Sequence, residues 1–439
     1  MNRETLLVSA CAGALVLAAA FTRAQAPTRR PGSGYVVVGR LPFPGAGTWD
    51  HVTTASAARR LYVAHADHVD VLDLDVGRLA GVLRGTPDVH GVALAPALGR
   101  GYTSDGGDSS LTVFDPATLA VRGRVRLPGG APDGIAYDPA TRRVFALHGT
   151  GPSLSVVDAG ADTVRATVAL GGAPDGAVAD GRGRVYVTLK DRSELLVLDS
   201  RRLTVERRWA LAPCAGPDAM ALGDAGRTVW LGCDNGVAVA VDTAHGRVRA
   251  AVPIGRGVDG IALAADGAVL VACGDGTLTV ARPDAAGATQ GAYEGAYHVA
   301  GVVRTPRGAR TLALDARTGR AYLPTADFAR AAARRTGAPA EDAPVVPGTF
   351  RLVVVAPGPG PVPEVGPHPA RYPAAPAGRC LARPATPPCV GRCASWRSPI
   401  WATSASSSPW RWPSARWRSP PTRSTSSRTR PSTCSSSSR

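Results

Sequence analysis

Seven residues at near-regular intervals carry most of the chemistry this sequence offers: Asp50, His90, Asp133, Asp175, Asp218, Asp259 and Arg310. Five are carboxylates, one is an imidazole and one a guanidinium. Brought to one place, five carboxylates would repel one another, raising the proton affinity of some or recruiting a cation. The intervals are 40, 43, 42, 43, 41 and 51 residues, and a fixed period of that size marks a solenoid or a propeller. The period is plainest in Gly129-Gly130-Ala131-Pro132-Asp133-Gly134-Ile135-Ala136, which returns as Gly171-Gly172-Ala173-Pro174-Asp175-Gly176-Ala177-Val178. Looser copies surround the other five positions, among them Trp49-Asp50-His51-Val52, Val89-His90-Gly91-Val92 and Val258-Asp259-Gly260-Ile261.

The content of one period decides what positions these anchors. After each comes a short apolar strand, a turn such as Asp138-Pro139-Ala140-Thr141-Arg142-Arg143, and a second strand (residues 144–147, 185–189 and 229–231). A third strand ends in Asp, as in Leu154-Ser155-Val156-Val157-Asp158, and a fourth follows, as in 163–170. Four short β-branched strands without helical spacing form a propeller blade. The sequence therefore predicts an all-β, seven-bladed β-propeller with four-stranded antiparallel blades over residues 34–357. The lone strand at 35–41 is assigned as the outer strand of the seventh blade, closing the ring from both termini and removing free edges.

In such a ring the first strands line the central channel, so the seven anchors encircle one mouth. The ends of the second strands are expected to add His65, Asp105, His148 and Lys190 around them. That predicts a shallow polar pocket for a cation, or for a cationic or hydroxylated small molecule. The structural alternative is that each Asp caps a tight turn while the following Gly (Gly134, Gly176, Gly260) permits close packing at the axis. Repetition in every blade favours that alternative, which makes His90 and Arg310, the departures from Asp, the informative positions. No motif requires a metal; a divalent cation remains a candidate cofactor.

The ends of the chain differ from the repeats. Residues 1–26 begin with Arg3, run apolar from Leu6 to Phe21 and end in Ala24-Gln25-Ala26, the pattern of an export signal. The apolar run is shorter than the roughly 20 residues a membrane anchor needs. Residues 325–348, rich in Ala, Arg and Pro, interrupt the last repeat and are expected to form a mobile insertion. Residues 358–439 change composition altogether, with 12 Arg against the lone acidic Glu364, five of the chain's eight Trp and runs of Ser. This segment is expected to be disordered. Arg and Trp suit nucleic acid or an anionic surface, but the mixture is also that of an out-of-frame continuation of a GC-rich gene, the reading adopted here. Most of the formal charge of +16 thus sits outside the repeats, and a mildly cationic body argues against nucleic acid as its partner.

Within the repeats stand three cysteines, Cys214, Cys233 and Cys273. Cys214 enters the fifth anchor and Cys233 ends that blade's second strand, on the same face of the disc, so a Cys214–Cys233 disulfide is expected, with Cys273 a buried thiol. A CxxC pair suited to zinc does not occur in the body.

The strands Tyr62-Val63-Ala64-His65, Tyr102-Thr103-Ser104-Asp105, Phe145-Ala146-Leu147-His148 and Tyr186-Val187-Thr188-Leu189 resemble the signature of YVTN-type β-propellers of the exported, YncE-like kind. The late insertion and the Leu211-Ala212-Pro213-Cys214 and Gly232-Cys233 pairing look like that subfamily too. The resemblance covers nearly all the body, is specific for fold and implies an exported binding protein; the chain is accordingly expected to be a periplasmic or secreted binding or interaction module, a monomer, with a small-molecule or protein ligand. The alternative is a lactonase-like hydrolase or lyase at the same mouth. Calcium-dependent lactonases hold their metal through Glu, Asn and Asp. This chain has only Asn2 and Asn235, and none of its six Glu falls at an anchor. A nucleophile-elbow motif and a CxxCH are lacking as well.

Overall fold

The computed structural model describes residues 33–43, 45, 47–284, 297–329 and 344–358. The expected export signal, the middle of the late insertion (330–343) and the tail from 359 onward lie outside the described residues. Seven four-stranded antiparallel sheets follow one another in chain order, in residues 49–84, 89–126, 132–169, 174–210, 217–253, 258–304 and 313–357, the last completed by the strand at 35–42. The predicted seven-bladed propeller is therefore the observed fold.

Blade 3 shows why these residues make these strands. Its second strand, Arg143–His148, and its third, Ser153–Asp158, are β-branched and aromatic stretches buried along nearly their whole length. Such runs suit strands covered on both faces. The outer strand, Thr163–Ala169, alternates exposed with half-buried residues because its outer side meets water. The sheets hide their apolar faces against one another: each apolar cluster draws on two adjacent blades. Tyr102, Leu111 and Val113 of blade 2 meet Val144, Ala146 and Val157 of blade 3, and Leu61, Val63 and Leu72 of blade 1 meet Tyr322, Leu352 and Val354 of blade 7. The tyrosine of the strand signature has a polar task as well. Tyr102 donates its hydroxyl hydrogen toward the Ala159 carbonyl (2.9 Å) and Asp162 (2.7 Å) of the next blade, and Tyr62 reaches the Pro116 carbonyl at 3.1 Å.

The ring closes as the sequence indicates. Tyr35–Pro42 pairs antiparallel with Arg351–Pro357 as the outer strand of blade 7. Inside, the Thr311 hydroxyl donates to the Asp50 carbonyl (3.1 Å) and Thr54 to that of Leu314 (2.8 Å). Arg59 of blade 1 grips the buried Asp315 carboxylate of blade 7 at 2.8 and 2.9 Å. The ends of the late insertion are tied together by a bridge between Phe328 and Val345, and the Phe328 ring packs against Trp49 at 6.0 Å.

Cys214 and Cys233 form the expected disulfide, while Cys273 is a buried free thiol. Among the described residues, no helix is long and apolar enough to cross a membrane.

Candidate functional site

In blades 1 to 6 the first strand begins with an irregularity at its anchor. In blade 3, Pro132 pairs with His148 and Ile135 with Ala146, leaving Asp133 and Gly134 opposite a single residue. Similar register shifts occur at Asp50, His90, Asp175, Asp218 and Asp259. Bulges bend a strand and redirect side chains, and these turn the anchors toward the axis. The following small residue lets the blades converge. A Cβ on Gly134 would stand 2.7 Å from the Asp175 carbonyl oxygen, and one on Gly260 2.6 Å from the Leu312 nitrogen.

The anchor carboxylates meet side-chain cations, which separates them from the carboxylates that do cap turns. Asp73, Asp115, Asp158, Asp199 and Asp242, at the ends of third strands, each accept backbone N–H groups two and three residues on. At the mouth, by contrast, His90 Nδ1 contacts Asp50 at 2.7 Å and Arg310 Nε donates to Asp259 at 2.6 Å. Lys190 is in direct contact with Asp218. Asp133 and Asp175 are served less well: Asp133 lies 3.8 Å from His90 Nδ1, and Asp175 lies 3.9 Å from the Lys190 ammonium.

Protonation is set by burial and by repulsion within the ring as well as by these pairings. Burial and the neighbouring Asp218 carboxylate push Asp175 up to about 8 against the pull of Lys190. Burial, with Asp218 and Asp50, pushes Asp259 up to about 7, and burial with Asp50 also raises Asp133. Asp50 goes the other way: burial would raise it, but His51, His90 and Arg310 together hold it low. His90 is raised, chiefly by its hydrogen bond to Asp50.

Sequence reasoning missed His51. Burial works against its charge, yet Asp50, Asp259, Asp133 and Asp175 outweigh it and raise the imidazole to about 9. The residue after the anchor is Gly91, Gly134, Gly176, Ala219, Gly260 or Thr311 in the other blades, and only blade 1 carries a large polar side chain there. That departure was a readable signal.

Three expected mouth residues lie elsewhere. His65 and His148 are enclosed, because the ends of second strands turn their side chains into the space between strands. His148 contacts Ser153 at 2.9 Å and Ser155 at 3.0 Å, and His65 contacts Asp70 at 2.9 Å. Asp105 is likewise buried, bonded to Thr103 and Thr112, and burial pushes it up to about 6. Of the second-strand group, Lys190 joins the anchors. At the far ends of the strands a cleft of about 880 Å³ includes Asp180, Arg182, Asp266 and Arg317. Its aspartates are committed, Asp180 to backbone N–H groups and Asp266 to Arg282, so the anchor ring is the stronger candidate.

No protein-family model matches the sequence, and no curated protein matches it either. Solved structures with the same architecture include hydrazine synthase of Kuenenia stuttgartiensis (15% identity, 64% of this chain and 92% of that one, TM-score 0.54). U3-55K shares 12% identity over 72% of this chain and 97% of its own, and the RRP9 WD40 repeats 12% over 74% and 99%, both with a TM-score of 0.57. At such identities the likeness concerns the fold alone. The chain is a seven-bladed β-propeller.

Proposed function

We propose that the protein is an exported binding module of the YVTN type that takes a compact cation or small organic amine at the mouth of its central channel. The observation that carries this reading is the pair Asp133 and Asp175, adjacent carboxylates at 3.8 and 3.9 Å from the cations that serve the ring. A positive ligand between blades 3 and 4 would supply the charge the protein withholds, displacing protons held by the raised carboxyls. The disulfide fits an oxidising compartment, in line with the export signal read at residues 1–26. WD40-type propellers such as the RRP9 repeats share the architecture, which makes a basic peptide side chain an admissible form of the same ligand.

The test is calorimetric titration of the full chain with Mg2+, Ca2+ and a linear polyamine at pH 6 and pH 8, in buffers of different ionisation heat. Binding at the mouth should release protons, strengthen with pH and fall at least tenfold in Asp133→Asn or Asp175→Asn. Binding that both substitutions leave intact would sink the proposal. The second reading rests on the 2.7 Å His90–Asp50 contact, which could orient the imidazole as a general base. It predicts turnover of a lactone or ester that His90→Gln abolishes.

A further inference from the structure

We propose that His65, His68 and Asp70, a cluster in blade 1 distinct from the anchor ring, form a site for a divalent first-row transition ion, with Asp67 orienting His68. One donor atom from each of the three residues lies within 4.8 Å of the others. Asp70 stands between two imidazoles, with Oδ2 2.9 Å from His65 Nδ1 and Oδ1 3.6 Å from His68 Nε2. A tetrahedral ion bonded to nitrogen and oxygen at about 2.0–2.2 Å spaces its donors by about 3.3–3.6 Å, so modest adjustment admits it. Two imidazoles and a carboxylate suit zinc, cobalt, nickel or copper better than calcium or magnesium.

Three further observations point to a ligand. First, Asp67 Oδ1 lies 2.8 Å from His68 Nδ1. A carboxylate there keeps the proton on Nδ1 and leaves the Nε2 lone pair facing Asp70, the outer arrangement typical of metal-bound histidine. Second, the buried His65 turns Nδ1 to a carboxylate it shares with His68, while His148, at the same place in blade 3, spends both ring nitrogens on serine hydroxyls. Third, blades 4, 5 and 6 fill that place with Leu189, Cys233 and Cys273, so the fold itself requires no imidazole there. Phe350 stacks on His65 at 4.3 Å, and a Cβ on Gly45 would approach the ring to 2.7 Å. These neighbours fix the ligand and keep water from it. His68, with its side chain 15% exposed, and the exposed Asp67 provide the way in. On binding, the ion takes the place of the hydrogen between His65 Nδ1 and Asp70, and that proton moves to His65 Nε2, which keeps the imidazole neutral and the carboxylate charged.

Co2+ titrated into the full chain provides the test. The expected result is one equivalent with the visible absorption of four-coordinate cobalt and no thiolate charge-transfer band. The signal should vanish in His68→Ala and His68→Gln, persist in His90→Ala, and weaken 10–100-fold in affinity in Asp67→Asn, an exposed position that leaves folding untouched. Absence of binding by the parent chain overturns the assignment. So does a band that survives in both His68 variants, disappears in His90→Ala or carries thiolate character. Because the anchor ring and this cluster are probed by different substitutions, either can fail alone.

Discussion

Replacing Asp175 by Asn should stabilise the protein, and more so in alkali than in acid. The Asp175 carboxyl is raised to about 8 in the folded chain, against about 3.9 when unfolded. Between those values the folded state keeps a proton that the unfolded state has surrendered, so this group's contribution to stability declines as pH rises through the window. About four pH units at about 1.4 kcal/mol each set a ceiling of about 5–6 kcal/mol. The side chain is 28% exposed and shares its field with Lys190, and solvent screening reduces the figure to about 1–3 kcal/mol. Asn reproduces the shape of the neutral acid and cannot ionise. Urea unfolding of parent and variant at pH 5 and pH 8.5 measures the difference. The advantage of Asn should grow by about 1–3 kcal/mol between the two. An advantage independent of pH, or a loss of stability at pH 8.5, would show that the ring does not strain this carboxyl, and the case for a cationic ligand would weaken with it. A group that costs stability where it stands is what a binding site keeps.

His51 gives the opposite dependence: raised to about 9, it contributes stability in full below about 6.5 that is lost as pH climbs through 9, and His51→Gln should flatten that alkaline limb in the same urea series. Removing the Cys214–Cys233 bond by joint replacement with Ala releases a loop set by 19 residues of separation and should cost about 3 kcal/mol; reductant should move the urea midpoint of the parent but not of the variant. Gly134→Ala drives a methyl to 2.7 Å from the Asp175 carbonyl, and thermal unfolding should register a loss of about 1–3 kcal/mol from the blade 3–4 contact. Tyr102→Phe removes the hydroxyl donor of the Ala159 carbonyl and Asp162, which Arg100 continues to serve, a loss of about 0.5–1.5 kcal/mol measurable by urea unfolding.

The architecture was legible because blade-to-blade packing imposes one requirement seven times. Each first strand must turn at the axis, which is why Pro-Asp-Gly recurs intact in blades 3 and 4, and why the strand at Tyr35 could be placed in the last blade. Site detail was less legible where the backbone departs from simple alternation. In a regular strand Asp50 and His51 would face opposite sides. The bulge between Trp49 and Val52 removes that constraint, so a neighbour that pattern reading sends away from the channel reaches it. His65 and His148 went astray for the complementary reason: nearness to the mouth along the strand does not set side-chain direction, and both look into the protein. Arg310 and His90 stood out in the sequence as departures from Asp, and in the fold they pair with Asp259 and Asp50.

The join at blade 7 bears on how the molecule comes into being. The backbone N–H of Gly358 donates to the Gly34 carbonyl at 2.8 Å, so the earliest and latest made parts of the disc end as neighbours. A chain emerging from the ribosome must therefore hold its opening strand in reserve while six blades accumulate, with the terminal sheet unfinished until Val355 arrives. A short peptide copying residues 351–357 could occupy that waiting edge first, trapping an open arc instead of a disc.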